Sequence, residues 1–401
     1  MLFLSKLDSV KGAVESIKKG KMIIVVDDEK RENEGDFVVA AEKITVPQLN
    51  FIGSFGRGLI CVPVTNQKAK QLDLPLMATE GCPYGTAFTV SVDAKKAGTG
   101  ISMPNRLKTI RLLADGKSSS EDFFKPGHVF PLISRDGGVL ERAGHTEASI
   151  DIMKLAGLKP AAVICEILKE NGKMARLPDL LKMKKKWKMK IVSVHDIIAY
   201  RLKTEGKQVV RIASPEIFTE FGKFAAIAYR ALPTNDEYIA FVKGKVKGKE
   251  NVLVRVHSAC LTGDVFHSLH CDCRQQLEKS LRMISKAKCG VLLYIPHHEG
   301  RGIGISNKLK AYELQAKGKD TMEANLLLGF PADKRDYGVG AQILADLGLR
   351  TIVVLTNNPK KLVGLNAFGL EITKRIPLET KPNNHNKKYL KTKKEKMGHL
   401  L

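Results

Sequence analysis

Residues 290–318 read GVLLYIPHHEGRGIGISNKLKAYELQAKG. A short uninterrupted apolar run, a glycine-rich turn and a longer segment of helical length together predict one strand–turn–helix unit. The flanking segments repeat the alternation. YIAFVKGK, NVLVRVHS, TIVVLT and LEITKRIPL have strand character, while QQLEKSLRMISKA and GAQILADLG have helical length and patterning. Strands alternating with helices predict an α/β architecture for this half of the chain. Within the turn, EGRGIG places glycines between strand and helix, where backbone N–H groups can approach a phosphate and Arg301 can pair with it.

The first half has a less regular order. A helix over Ser9–Lys19 precedes the strand MIIVV and a loop of carboxylates, and GLICVPV and AFTVSVDA read as further strands. TEASIDIMKLAG and PAAVICEILKE read as helices, so this half is predicted to be α+β. SVHDIIAYRLKTEGKQVVRIAS carries a helix into a polar, glycine-containing stretch, which sets the expected domains at 1–206 and 207–401.

With 401 residues, 43% of them hydrophobic and 27% charged, the chain is long enough for two globular cores. No apolar stretch approaches the ~18 residues of a membrane span, and the N-terminus does not read as a secretion signal, so a soluble, cytoplasmic protein is expected. Seven cysteines, an odd number in a large chain, argue for reduced thiols that bind metal or fill cores. The net charge of +24 favours anionic partners, either phosphorylated small molecules or nucleic acid. Two lysine concentrations, KMKKKWKMK at 182–190 and the tail from Glu379, read as solvated surface. No aromatic interleaving of the kind that stacks bases accompanies them.

Two clusters carry chemistry. DDEKRENEGD, residues 27–36, sets Asp27, Asp28, Glu29, Glu32, Glu34 and Asp36 directly after a strand. Carboxylates this crowded repel one another unless a cation sits among them, and their hard oxygens suit Mg²⁺. His128, Arg142, His145, Thr146, Glu147 and Glu166 add bases, an imidazole and a phosphate-binding arginine. In the second half, Cys260, Cys271 and Cys273 in CLTGDVFHSLHCDC can converge on one metal, and sulfur ligands select zinc. The residues alone leave two arrangements open: a site with its fourth position free, or a closed knuckle completed by His257, His267 or His270.

DDEKRENEGDFVVAAE, YGTAFTVSVDA, TGIS, PGHVFPL, GGVLERAGHTEASIDIMKLAGLKPAAVICEI and MARLPDL resemble 3,4-dihydroxy-2-butanone 4-phosphate synthase, in order, over roughly residues 5–203. The resemblance implies conversion of ribulose 5-phosphate to the four-carbon phosphate and formate with Mg²⁺ or Mn²⁺. It implies Glu32 and His145 as metal ligands and Arg31, Glu32, Asp36, Arg142, Ala143, Gly144, His145, Thr146 and Glu166 as substrate-binding. His128 and Glu166 would serve the proton transfers.

RVHSACLTGD, CDC, EGRGIGISNKLKAYELQ, DTMEANLLLGFPADKRDYGVGAQIL, LTNNPKK and YLKTKKEKMGHLL resemble GTP cyclohydrolase II over roughly residues 208–401. This implies a catalytic Zn²⁺ on Cys260, Cys271 and Cys273, and opening of the guanine ring with release of formate and pyrophosphate. It implies GTP contacts from Arg255, Val256, His257, Ser258, Ala259, Gln276, Glu299, Gly300, Arg301, Thr321, Thr356 and Lys361. Asp333 would be the proton acceptor and Arg335 the group at the α-phosphorus, as nucleophile or as a positive charge. His270, Arg274 and Pro296 depart from the family pattern. The expectation is a homodimeric two-activity enzyme of riboflavin synthesis with no nucleic-acid or membrane partner. The alternatives are a second half reduced to a GTP- and zinc-binding relic, or a basic zinc protein that binds nucleic acid.

Overall fold

The computed structural model describes residues 7–29, 31–78, 85–206, 208–232, 234–330, 335, 337–358, 365–395 and 400. The chain separates into two compact units that divide between Thr204 and Glu205.

In the first unit, α1 (Val10–Lys18) leads into β1 (Ile23–Val26), β2 (Gly35–Ala40), α2 (Val46–Phe51), β3 (Cys61–Thr65) and α3 (Asn66–Gln71). There follow β4 (Ala87–Phe88), β5 (Val92–Ala94), α4 (Met103–Ala114), β6 (Phe123–Ser134) and α5 (His145–Leu155). β7 (Ala162–Glu166), α6 (Leu177–Trp187), β8 (Lys190–Ser193) and α7 (Val194–Glu205) close the unit. Its mixed sheet runs β4-β6-β3-β7-β2-β1-β8, with β5 paired to β6.

PAAVICEILKE is therefore a strand where a helix is expected. β7 sits between β2 and β3 in the sheet, and Ala162, Val163, Ile164 and Cys165 are all buried. With every successive residue buried, such a segment has no alternation to betray its period. AFTVSVDA is divided between β4 and β5, both of which pair with β6. The lysines of 182–190 are exposed as expected apart from the half-buried Lys184. Lys184 and Lys190 both pair with Asp8, at 2.7 and 2.8 Å, which fastens the entry of α1 to α6 and β8.

The second unit opens with β9 (Val209–Ala213), β10 (Glu216–Thr219), β11 (Gly222–Ala231), β12 (Glu237–Lys243) and β13 (Val252–Ser258). Next come α8 (Leu261–Asp264), α9 (Cys273–Lys286), β14 (Gly290–Ile295), α10 (Gly304–Ala316) and α11 (Thr321–Leu327). The unit ends with α12 (Gly338–Asp346), β15 (Thr351–Leu355), β16 (Glu371–Ile376) and α13 (Lys387–Glu395). The sheet order is β10-β11-β12-β14-β13-β15-β16, with β9 on β11. β14, β13, β15 and β16 are mutually parallel. Their carboxyl ends therefore open on one edge, the place where α/β sheets bind ligands. The segment 290–318 forms β14, the glycine-rich turn and α10 as its pattern predicts. No helix among the described residues is long and apolar enough to cross a membrane.

Candidate active sites

The acidic loop joins β1 to β2, whose pairing of Val26 with Gly35 holds its two ends together. Asp27 organises the loop from within. One carboxylate oxygen accepts from the Glu34 N–H at 2.8 Å, and the other accepts from the Glu32 N–H at 3.0 Å and from Arg31 at 2.9 Å. Arg176 adds bonds to the carbonyls of Glu32 and Asn33. Thus Asp27, which lies with Glu32 and His145 in a group whose ligand atoms are all within 4.8 Å of one another, already has its oxygens engaged. Arg31 bridges Asp27 and Glu32.

Sheet register sets Asp36 on β2 directly opposite Glu166 on β7, and α5 brings His145 in at its first position. Burial raises the Glu32 pKa, but His145, Arg31 and Arg142 outweigh it and hold this carboxyl down to about 2. Burial pushes Asp36 up to about 7, and the neighbouring charges of Glu166 and Glu32 add to the shift. Burial lowers the His145 pKa, yet Asp36 and Glu32 raise the imidazole to about 9 overall. Two ligand-type atoms here, His145 Nε2 and Asp36 Oδ1, are buried without a hydrogen-bond partner. A divalent cation held by His145 and Glu32 would take the imidazole nitrogen as a ligand and displace its proton, while Asp36 Oδ1 stays open to a substrate hydroxyl.

Glu166 accepts the Leu59 N–H at 2.8 Å, and a Cβ on Gly58 would stand 2.6 Å from its carboxylate. Arg142 binds Glu147 at 2.5 Å and the Thr86 hydroxyl at 2.9 Å, while Gly144 caps α5 without a side-chain acceptor. His128 stands on β6, one strand removed from β7, with its Nδ1 2.6 Å from Asp93. Asp27 is marked in the sequence by its place in the acidic loop, though not as the group that organises it, and Asp93, Thr86 and Arg176 carry no signal beyond their residue type. Each acquires its part through a partner distant in the chain or through the loop's backbone.

In the second unit, Cys260 follows β13, and Cys271 and Cys273 flank the start of α9. Their sulfurs all lie within 4.8 Å of one another, with Cys260 and Cys271 3.6 Å apart. Among the described residues no histidine joins this group. His257 gives its Nε2 to Asp264 instead, at 3.1 Å, and His267 and His270 are exposed. Asp264 also takes the Tyr294 hydroxyl and the Cys260 N–H, each at 3.0 Å, and so fixes the strand end that presents the first thiol. Hydrogen bonds from Cys271 and Cys273 and the Lys308 ammonium, 3.0 Å from its sulfur, drive Cys260 far below the usual thiol range. Cys271 is pushed up to about 12, chiefly by its bond with Cys260. A divalent metal stabilises all three as thiolates.

A cavity of about 120 Å³ lies against these sulfurs, lined also by Arg255, His257, Ser258, Ala259, Gln276, Gly300, Arg301, Thr321, Arg335 and Thr356. Arg255 donates to the Leu355 carbonyl at 3.0 Å and to Gln276 at 2.7 Å. Arg335 donates to the Ser258 hydroxyl at 3.4 Å. The turn after β14 puts Gly300, Arg301, Gly302 and Gly304 at positive φ, a run of left-handed residues that explains its glycines. Val256 and Glu299 do not line the cavity. Glu299 holds the Leu261 N–H at 2.5 Å and Lys308 at 2.6 Å from behind. Of the three departures, Arg274 pairs with Glu278 along α9, His270 stacks on Tyr312 at 5.3 Å, and Pro296 opens the turn after β14. Asp333 and Lys361 lie outside the described residues.

Residues 11–200 match the family model described as 3,4-dihydroxy-2-butanone 4-phosphate synthase, and residues 195–377 the one described as GTP cyclohydrolase II. A Riboflavin biosynthesis protein RibBA from Aquifex aeolicus (strain VF5) is 55% identical, over 99% of this chain and 98% of its own. The chain belongs to this family. The protein of the same name from Endomicrobium trichonymphae is 52% identical over 98% of each chain. The crystal structure of RibBX, a two-domain 3,4-dihydroxy-2-butanone 4-phosphate synthase from A. baumannii, is similar over 92% of this chain and 99% of its own, at 34% identity and a TM-score of 0.61. Membership makes the chain a bifunctional enzyme of riboflavin biosynthesis, a lyase joined to a hydrolase, with an α+β synthase unit followed by an α/β cyclohydrolase unit.

Proposed function

We propose that the two activities belong to the two clusters, in domains 1–206 and 207–401. Unsatisfied groups in each cluster carry this reading: the buried, unpartnered His145 Nε2 and Asp36 Oδ1 in the first, and in the second three gathered sulfurs with no fourth histidine, cysteine or carboxylate beside them among the described residues.

In the first site Glu32 and His145 hold Mg²⁺ or Mn²⁺. Such an ion supplies Lewis acidity to vicinal oxygens of a sugar phosphate. The substrate is ribulose 5-phosphate. Arg142, Ala143, Gly144 and Thr146 receive it at the amino end of α5, where N–H groups and the helix dipole favour an anion. Asp36, Arg31 and Glu32 face the sugar. Glu166 and His128, oriented by Leu59 N–H and Asp93 respectively, exchange protons during the enolisation and dehydration that precede loss of formate.

In the second site Cys260, Cys271 and Cys273 hold Zn²⁺, which makes water nucleophilic at neutral pH. GTP lies in the cavity, with Arg255, His257, Ser258, Ala259, Gln276, Gly300, Arg301, Thr321 and Thr356 around it. Val256 contributes through its backbone, Glu299 by holding the turn, and Lys361 as a further contact. Asp333 accepts the proton. Arg335, whose guanidinium stays protonated, stabilises charge at the α-phosphorus as pyrophosphate leaves. The active protein is a cytoplasmic homodimer with small-molecule substrates, and light scattering at working concentration checks its stoichiometry.

Formate release measured separately from each substrate tests the assignment. Glu32→Gln is expected to lower release from ribulose 5-phosphate by about 10²-fold or more and to leave release from GTP unchanged. Cys271→Ser should lose zinc and release from GTP together, because a serine hydroxyl is a far poorer ligand than a thiolate, while the sugar-phosphate reaction persists. Retention of zinc by the Cys271→Ser protein, or loss of both reactions in either folded variant, refutes the division.

A further inference from the structure

The tail from Glu379 is rich in lysine, and its described lysines are exposed with one exception, Lys393, which α13 turns inward. α13 lays Tyr389 and Lys393 into the wall of the cavity that holds the three sulfurs. The Lys393 ammonium reaches Asp272, the residue between two of the cysteines, at 2.7 Å, with the lysine side chain 9% exposed and the aspartate 0%. It also lies over the Tyr389 ring, 4.3 Å from the centroid. The segment is anchored at several points. The Thr380 hydroxyl donates to Asp272 at 3.3 Å, the Leu378 N–H to Asn357 at 2.7 Å and the Leu400 N–H to the Asn357 carbonyl at 2.9 Å.

From Asp272 the bonds continue inward. Its second oxygen accepts from Gln276 Nε2 at 2.5 Å, and Gln276 Oε1 accepts from Arg255 at 2.7 Å. A carboxamide donates on one side only and accepts on the other, so holding Nε2 on Asp272 turns Oε1 towards the guanidinium. Arg255 Nε remains buried without a partner. We propose that Lys393 is a positioning residue for the nucleotide: by pairing with Asp272 it fixes Gln276, which aims Arg255 into the cavity, so the C-terminal helix is part of the guanine-nucleotide site. The inference rests on the reading that this cavity takes GTP.

Removing one member of a buried ion pair leaves the other charge uncompensated, and the structure relaxes around it. Lys393→Met keeps the apolar stem and removes the charge, while Lys393→Arg keeps the charge. The probe is guanosine 5′-(α,β-methylene)triphosphate, from which pyrophosphate cannot leave. Its dissociation constant is measured on the full chain beside zinc per chain and the KM and kcat of formate release from GTP. Lys393→Met is expected to weaken binding and raise KM at least about tenfold, with zinc retained and kcat within about threefold; Lys393→Arg should stay within about threefold of the parent throughout. Unchanged nucleotide affinity in Lys393→Met, equal failure of both variants, or loss of zinc from Lys393→Met overturns the proposal. If the parent protein itself does not bind the analogue, the GTP reading of the cavity falls, and the inference with it. A parent that binds while Lys393→Met binds equally well removes the inference alone.

Discussion

Single residues show how much of each site is built from groups that do no chemistry. His128 owes its orientation to Asp93, which also accepts its backbone N–H at 3.0 Å, and the approach of β6 to β5 needed for this leaves no room at Gly127. A Cβ there would collide with the backbone of Val92 and Asp93. Gly127→Ala should therefore push β5 aside, destabilise the first unit by ~1–3 kcal/mol as overpacking does, and misplace His128. Formate release from ribulose 5-phosphate is expected to fall at least about tenfold while release from GTP holds. A variant with normal sugar-phosphate turnover would show that the His128–Asp93 pair is dispensable. The residue types of the two candidate sites, acidic loop, glycine-flanked histidines and thiols, are legible in the sequence. Their supports are not, since Asp264 meets His257 and Tyr294, and Lys308 meets Cys260 and Glu299, only after the strands align.

Among the elements, those with one covered face are the ones the sequence discloses. α1 begins at Val10 with Ser9 as its cap and buries Val10, Ala13, Val14 and Ile17 at helical spacing, so its pattern is plain. β7 hides its nature because both faces are covered. Lysine-rich segments hold exceptions that the pattern does not mark: most described lysines of 182–190 and 379–395 are exposed, as solvated surface requires, yet Lys184 reaches the half-buried Asp8 and Lys393 the buried Asp272. Asp8 illustrates the consequence. Burial raises its pKa, but hydrogen bonds from Lys184, Lys190 and the Ile191 N–H outweigh that, and the group ends below its ordinary value. A lowered carboxyl pKa means that the folded state binds its proton less readily than the unfolded chain. The stabilisation is thus present above the unfolded value of ~4 and disappears as pH falls through the folded one. The difference in melting temperature between parent and Asp8→Asn should be positive near neutral pH and shrink as pH falls below ~4. A difference that is constant over that range would assign the effect to packing.

At the scale of the molecule, a strongly basic chain suits the two phosphate-bearing substrates proposed for it, and the groups proposed for each come from one unit. The acidic loop, α5 and Glu166 all precede Thr204, while the thiols, the cavity and α13 all follow Glu205. Because no residue proposed for one chemistry belongs to the other unit, the two lesions should complement in a mixture. Equal amounts of Glu32→Gln chains and Cys271→Ser chains are expected to release formate from both substrates, each at about half the rate of the same total of parent protein. The arithmetic is simple: half the chains retain each intact site, and intact sites turn over at their ordinary rate if the neighbouring unit contributes nothing to them. A rate well below half for either substrate would mean that an intact unit depends on its neighbour's metal or bound substrate. Repeating the measurement after co-expression, where chains of both kinds assemble together if the proposed dimer forms, separates dependence within one chain from dependence between chains.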